Sequence, residues 1–401
     1  MTAASNNDLA RLVFLGQNYK DVKEKITNET KDADTVSLKT ENDVKESDFG
    51  FGLNNAKISE DYSSLKYEIW YQTSHKGAAT AAAFSDNGQF FATGSADSTL
   101  KLVSIDRLKS PSERGTYDEK PVIRALYDHR DVVNQVTFHP NGLVLASCSD
   151  DQSIKLFDLS LAQGKRSFRF IQDNSPIKSI SFHPSGEYLA SGTASGKVVL
   201  YDIKTLSGVT PNFGPSDKIS GTINSVKFSK DGKSLGVGSS NGDLKIVDGV
   251  TGSVVLDLQQ TGVDSISKAK NQVHSIEFTG NSKYVLTSTN SNTPLHPSGG
   301  NVINSGSVYQ TQLWDTNSGK VVQTYNFPFS SKPGMTNVST GKSVSCFNFD
   351  ENLVLAIDPF SDSICCWDSR TGRQLNQYGG FSEPINYLCA SPTDKSFITC
   401  R

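Results

Sequence analysis

A chain of 401 residues with 36% hydrophobic content can bury one large core or several small ones, and its formal charge of −3 excludes a global basic field for nucleic acid or anionic membrane. Its start, MTAASNNDLARLVFLGQNYK, lacks the basic region and apolar run of a secretory signal, and no window approaches the roughly 18 uninterrupted apolar residues of a membrane span. The six cysteines, Cys148, Cys346, Cys365, Cys366, Cys389 and Cys400, sit mostly in apolar strand-like runs without CxxC pairs or histidine at metal spacing, which reads as reduced core thiols of a cytosolic or nuclear protein.

In chain order, residues 1–66 are expected to be a flexible leader, mixed in charge, low in apolar content and without period. A short amphipathic helix is expected within it at 8–19, DLARLVFLGQNY, with Asp8 near its start and Leu9, Leu12, Val13 and Leu15 offered to a partner helix. From residue 67 to 401 one phrase recurs. TFHPNGLVLASCSDDQSIKLFD at 137–158 returns 44 residues later as SFHPSGEYLASGTASGKVVLYD at 181–202. Each copy runs through an apolar alternating stretch, a Pro/Gly turn, a second stretch, an Asp or Gly turn and a third stretch, the order of antiparallel strands joined by tight turns. The aromatic before the first turn recurs at Phe84, Phe138, Phe182, Phe228, Phe278 and Phe349, and Ala390 holds that place in a degenerate seventh copy. Spacings near 44 to 50, stretched by insertions, match the roughly 40–45 residue period of a four-stranded propeller blade, whereas paired-helix solenoids would need a 3.6 period that is absent. The prediction is an all-β, seven-bladed WD-repeat β-propeller with an incomplete last blade.

Repetition has a physical reason: a single four-stranded blade has two apolar faces and covers both only among copies. The third strands read KLVS, KLFD, VLYD, KIVD, QLWD and CCWD, so Trp-Asp stands only at Trp314-Asp315 and Trp367-Asp368, with Val103, Phe157, Tyr201 and Val247 in the tryptophan place elsewhere. Structural hydrogen-bond sets are expected from His75, Thr93 and Asp97 in the first blade and His129, Ser147 and Asp151 in the second, neither with an indole donor. Two insertions, 109–120 and 290–307, interrupt the period with turn-forming residues.

Catalytic chemistry finds no support in the sequence: GxSxG, Walker-type and HExxH motifs are absent, and His139 and His183 lie in HPxG turns where Pro and Gly account for the backbone. No catalytic residue, cofactor or metal is expected. The expected role is a rigid interaction platform, with Lys76, Asp97, Arg130, Asp131, Asp151, Lys178 and Asn224 on the rim of blade-entry loops and Asp turns. Lys165, Arg166 and Arg169 lie on an outer strand and read as solvated charges guarding an edge rather than as phosphate contacts.

The phrases joining the blades are more specific. TSHKG (73–77), ATGSADSTLKL (92–102), PVIRALYDH (121–129), KRSFRFIQD (165–173), SISFHPSGEYL (179–189) and CCWDSRTGR (365–373) resemble the WD-repeat subunit of cleavage stimulation factor, which acts in pre-mRNA 3′-end cleavage and polyadenylation. The resemblance covers 67–401. It implies a nuclear protein that docks the complex's α-helical-repeat scaffold subunit and, through it, the RNA-recognition-motif subunit, touching RNA only indirectly and no membrane. In that family a helical homodimerisation module precedes the propeller. DLARLVFLG matches at best its last part, which puts homodimerisation in doubt. The family also continues with a third strand after FITCR, so a truncated product is expected, with Phe397–Arg401 as an unpaired edge. A competing class is a substrate receptor of a cullin-type ubiquitin ligase, through the WDxR box Trp367-Asp368-Ser369-Arg370.

Overall fold

The computed structural model describes residues 11–17, 67–109, 121–161, 164–210, 219–258, 271–291, 308–327, 342–379, 381 and 383–401. Two strands open the chain, β1 (Arg11–Gln17) and β2 (Tyr67–Ser74), and the rest follow in groups of four. Blade 1 is β3 (Ala79–Phe84), β4 (Phe90–Ser95), β5 (Thr99–Ser104) and β6 (Val122–Tyr127), with the short helix α1 (Asp106–Lys109) before β6. Blade 2 is β7 (Val133–Phe138), β8 (Val144–Ser149), β9 (Ser153–Asp158) and β10 (Arg169–Gln172); blade 3 is β11 (Ile177–Phe182), β12 (Tyr188–Thr193), β13 (Val198–Asp202) and β14 (Gly208–Val209). Blade 4 is β15 (Ile223–Phe228), β16 (Ser234–Ser239), β17 (Leu244–Asp248) and β18 (Val254–Asp257); blade 5 is β19 (Gln272–Phe278), β20 (Tyr284–Ser291), β21 (Val308–Asp315) and β22 (Val321–Tyr325). Blade 6 is β23 (Ser345–Phe347), β24 (Leu353–Asp358), β25 (Ser363–Asp368) and β26 (Gln374–Tyr378), and the chain ends with β27 (Tyr387–Ala390) and β28 (Phe397–Cys400).

These strands form seven four-stranded antiparallel sheets, the number expected from the repeat. The first strands of successive blades touch one another around a closed ring, β27 returning to β3. The core lies between blades rather than within them. Ala81, Leu100 and Leu102 of blade 1 pack with Val133, Val136 and Phe157 of blade 2, and Ile398 and Cys400 pack with Ala79, Phe91 and Val103.

The last blade corrects two expectations. Its strand order is β2-β1-β28-β27, so the chain's last segment supplies two strands and the N-terminal segment the other two. Residues 11–17 are therefore a strand and not part of a helix over 8–19. The blade is complete: Leu12 to Leu15 pair with Cys400 to Phe397 on one side, and Arg11 to Gln17 pair with Ser74 to Tyr67 on the other. The edge expected at Phe397–Arg401 is covered over Phe397–Cys400. A short run apolar at nearly every position fits an amphipathic helix face and a strand buried between two neighbours equally well, and only the neighbours decide. The remainder of the expected leader, 1–10 and 18–66, and most of both insertions, at 110–120 and 292–307, lie outside the described residues.

Register identifies what β1 replaces. The second strands place Phe91, Leu145, Leu189, Leu235, Val285 and Val354 opposite Val103, Phe157, Tyr201, Val247, Trp314 and Trp367, the tryptophan place of each blade. In the last blade Phe397 stands opposite Leu15. The irregularity beside Val103, Val247, Trp314 and Trp367 in the pairing with the fourth strand recurs between Phe14 and Leu15.

Inner strands present an open ladder edge toward the axis, and side chains of the preceding blade satisfy it. Backbone N–H groups of Ile180, Val226, Ile276 and Ser345 donate to Gln135 Oε1, Ser179 Oγ, Ser225 Oγ and Ser275 Oγ at 2.8, 2.9, 3.2 and 3.1 Å. A second set joins Phe228 N–H to Ser181 Oγ and Phe347 N–H to Glu277 Oε2. On the face carrying the first turns, the HPxG histidines also link blades. His139 Nδ1 accepts from Asn141 N–H, which leaves Nε2–H to donate to the Gly186 carbonyl at 2.9 Å. His183 does the same toward Gly232 at 3.2 Å. Gly186 and Gly232 have φ of 76° and 74°, and a Cβ on either would lie 2.4 Å from the imidazole, so glycine is required both by backbone and by space.

Candidate functional site

The connections entering each blade and the turns between second and third strands share the opposite face, and this rim carries the residues singled out in the sequence. In blade 2, Asp151 Oδ2 accepts from His129 Nδ1 at 2.8 Å and from Arg130 N–H at 3.0 Å, while Oδ1 accepts from Ser153 N–H and Oγ–H at 3.0 and 2.6 Å. Nδ1 of the same ring faces Asp151, and Nε2 meets Ser147 Oγ at 2.7 Å. Burial raises the Asp151 pKa, but the bonds from His129, Ser153 and Arg130 outweigh it and hold the carboxyl well below its ordinary value.

Blade 1 repeats the arrangement more loosely. His75 Nε2 meets Thr93 Oγ1 at 2.8 Å and Nδ1 meets Thr99 Oγ1 at 3.1 Å, while Asp97 Oδ2 stands 3.6 Å from Nδ1 and accepts from Lys76 N–H at 2.8 Å. Burial pushes the His75 pKa down to about 4 against the attraction of Asp97, so the ring is neutral. Blade 4 has an equivalent that the repeat pattern missed: Asp243 Oδ2 accepts from Ser220 N–H and Oγ–H, both at 2.8 Å. Its turn has the same length as those of blades 1 and 2, but the aspartate stands two places later, where those blades carry Thr99 and Ser153, and Asn241 takes the aspartate place, which hides the correspondence in the sequence. In blade 5 the buried Trp314 donates its indole N–H to Thr287 Oγ1 at 3.0 Å, and in blade 6 Trp367 packs against Phe327 and Tyr325.

The seven rim residues thus fall into two groups. Lys76, Asp97, Arg130, Asp131 and Asp151 belong to the loops of blades 1 and 2; the Asp97 and Asp151 carboxylates serve those loops, Asp131 caps the Val132 N–H at 2.7 Å, and the Lys76 and Arg130 side chains face solvent. Lys178 and Asn224 sit instead near the starts of inner strands, at the mouth of the central opening. Asn224 Nδ2 donates to Val273 O at 2.9 Å, as Asn134 does to Ile177 O at 2.8 Å. Lys178 pairs with Asp150 at 2.5 Å. Lys342 is exposed to solvent yet walled by protein, so burial followed by the like charge of Lys178 lowers its pKa. His274, stacked on Tyr309 at 6.2 Å, is lowered to about 4 by burial and by Lys342.

Beside this rim, between the outer parts of blades 1 and 2, lies a cleft of about 410 Å³ lined by Asp128, Arg130, Asp151, Ser153, Lys155, Arg166, Ser167, Phe170 and Gln172. Among the described residues no group of three or more His, Cys, Asp or Glu side chains converges to hold a metal, and no helix is long and apolar enough to cross a membrane.

The fold and its repeated blade chemistry define the class: the chain is a WD-repeat β-propeller. The WD domain, G-beta repeat family model matches residues 67–104, 120–158 and 164–202. The Cps50 (Swd1) β-propeller domain of Myceliophteria thermophila superimposes with a TM-score of 0.59 over 80% of this chain and 96% of that one, at 14% identity, a likeness of fold alone. In sequence the chain is similar to cleavage stimulation factor subunit 50 of Arabidopsis thaliana, 31% identical over 238 residues, 59% of this chain and 54% of that protein. The chain therefore matches about half the length of that relative. Shorter stretches are similar to nuclear distribution protein nudF of Aspergillus niger, 36% identical over 95 residues, 24% of this chain and 18% of that one. Target of rapamycin complex subunit wat1 of Schizosaccharomyces pombe is 31% identical over 85 residues, 21% of this chain and 23% of that one.

Proposed function

We propose that this chain is a non-enzymatic interaction scaffold of nuclear mRNA processing, acting as the WD-repeat subunit of a cleavage stimulation factor complex in pre-mRNA 3′-end cleavage and polyadenylation. The observation that carries the reading is the 31% identity over 238 residues to cleavage stimulation factor subunit 50. A ring of seven sheets with side chains bridging the inner strands is a rigid platform, and rigid platforms recognise partners through the loops they hold still. The surface offered to the helical-repeat scaffold subunit is the rim of blades 1 and 2, with Lys76, Arg130 and Asp131 outward and Asp97 and Asp151 holding the loops, together with Lys178 and Asn224 at the central mouth. The RNA-recognition-motif subunit joins through that scaffold.

Nothing in the geometry favours the ubiquitin-ligase alternative. Asp368 accepts from Arg370 N–H, Thr371 N–H and Thr371 Oγ1–H, and Asp248, which no WDxR box contains, accepts in the same way from Val250 and Thr251. Turn chemistry therefore accounts for that aspartate. The test is co-purification of the tagged chain with the helical-repeat subunit of its own organism. A stoichiometric complex that is weakened by Lys76→Glu with Arg130→Glu is expected. Recovery of a cullin adaptor without that subunit, abolished by Arg370→Ala, would overturn the proposal.

A further inference from the structure

The cleft between blades 1 and 2 holds more positive charge than its own structure uses. Its two carboxylates are committed: Asp151 to His129, Arg130 N–H and Ser153, and Asp128 to Ser167 and, at 3.6 Å, to Lys155. Lys155 Nζ also lies 5.5 Å from the centroid of Phe170. The guanidinium groups of Arg130 and Arg166 have no such partner among the described residues, and both side chains are exposed. Phe170 is 59% exposed on β10, and Phe168, two residues before it, is 50% exposed beside Lys165 and Arg166. The third cation of that segment serves the fold: Arg169 Nη1 donates to the Ile203 and Lys204 carbonyls of blade 3 at 3.2 and 3.0 Å.

Two uncommitted guanidinium groups, a lysine and an open aromatic ring around a cleft of about 410 Å³ meet the needs of a polymer that alternates phosphate with a flat ring. Arginine forks bind phosphate oxygens, and any base stacks on an aromatic face regardless of its identity. An acidic peptide satisfies the cations but leaves both phenylalanines in water. We infer that the cleft between blades 1 and 2 binds single-stranded RNA, with Arg130 and Arg166 on phosphate oxygens and a base stacked on Phe170. This contact is direct and needs no other subunit, and it shares Arg130 with the rim proposed above for docking.

Fluorescence anisotropy of the full chain with a 5′-labelled twelve-nucleotide oligouridine, titrated across ionic strengths, tests it. Binding is expected to weaken with salt. Arg130→Ala with Arg166→Ala should cut affinity at least about tenfold and shrink the salt slope by roughly 0.7 for each phosphate that is no longer neutralised. Phe170→Ala should weaken binding about tenfold with the slope kept, and Phe170→Tyr should restore it. Lys233→Ala, on the opposite face, should change nothing, and unchanged circular dichroism shows that the variants fold. Absence of salt-dependent binding, equal binding by the double variant, or preference for a phosphoserine peptide over oligouridine each overturns the inference.

Discussion

Proline at Val13 examines the closure of the ring. Val13 lies in β1, opposite Gln72 on one side and Thr399 on the other. A strand flanked on both sides bonds every backbone N–H, so proline there removes a ladder bond whichever neighbour that N–H faces and leaves its acceptor stranded. The missing bond costs about 1 kcal/mol net, and the orphaned acceptor adds about 1–3 kcal/mol, giving about 3 kcal/mol in all. At roughly 1–2 °C per kcal/mol for a domain of this size, the melting temperature should fall by about 3–6 °C. Thermal unfolding by circular dichroism reads the shift, and hydrogen exchange reads its place: amides of Phe397–Cys400 and Tyr67–Ser74 should lose protection before those of blade 3. Val13→Ile, which keeps the backbone bonds, should melt within about 1–2 °C of the parent. If Val13→Pro melted like the parent with β28 still protected, β1 would not close the last blade and the argument from register would fail.

Gly186→Ala should destabilise by about 2 kcal/mol, since its φ of 76° disfavours a Cβ and that Cβ meets the His139 ring at 2.4 Å; denaturant midpoints measure it, and His139→Ala in the same chain should recover the part due to the clash. Trp314→Phe removes the indole bond to Thr287 and should cost about 2 kcal/mol, with a double-mutant cycle against Thr287→Val giving a coupling of about 1 kcal/mol. Stability should also rise with pH between about 4 and 6.5. The folded chain holds His75 and His274 neutral down to about pH 4 while the unfolded chain protonates both near 6.5, so their contribution is complete above 6.5 and is lost as pH falls through that window. His75 accounts for a change on the order of 3 kcal/mol, a further loss follows below about pH 4 as Asp97 and Asp151 protonate, and urea midpoints that stay flat from pH 4.5 to 6.5 would contradict the burial of these rings.

Much of this was legible in the sequence because a blade is a local object. Phe138, the HPNG turn, Ser147 and Asp151 lie within a short stretch, so their order gives strand, turn, strand and turn without knowledge of anything distant. Other features were not legible for the opposite reason. Ser220 and Asp243 escape because the aspartate stands two places later in a turn of the same length, at the position of Thr99 and Ser153 rather than of Asp97 and Asp151. His139 and Gly186 look like separate turn residues until two blades are stacked and the imidazole donates across them. Phe170 and Arg130 stand far apart along the chain, and the cleft they share exists only after β10 folds back beside the loop that enters blade 2.

The sequence by itself determined the blade: its period, its turns, its inward and outward alternation, and the need for several copies, because apolar alternation and turn residues act over a few neighbours. The tertiary structure alone decided how the ring ends. Arg11–Gln17 is short and apolar almost throughout, compatible with a helix face or a buried strand, and it becomes the third strand of the last blade because the open edges of β28 and β2 leave one place between them. That choice pairs Leu12 with Cys400, almost the whole chain apart, and no local pattern records a contact whose energy exists only once the ring has closed.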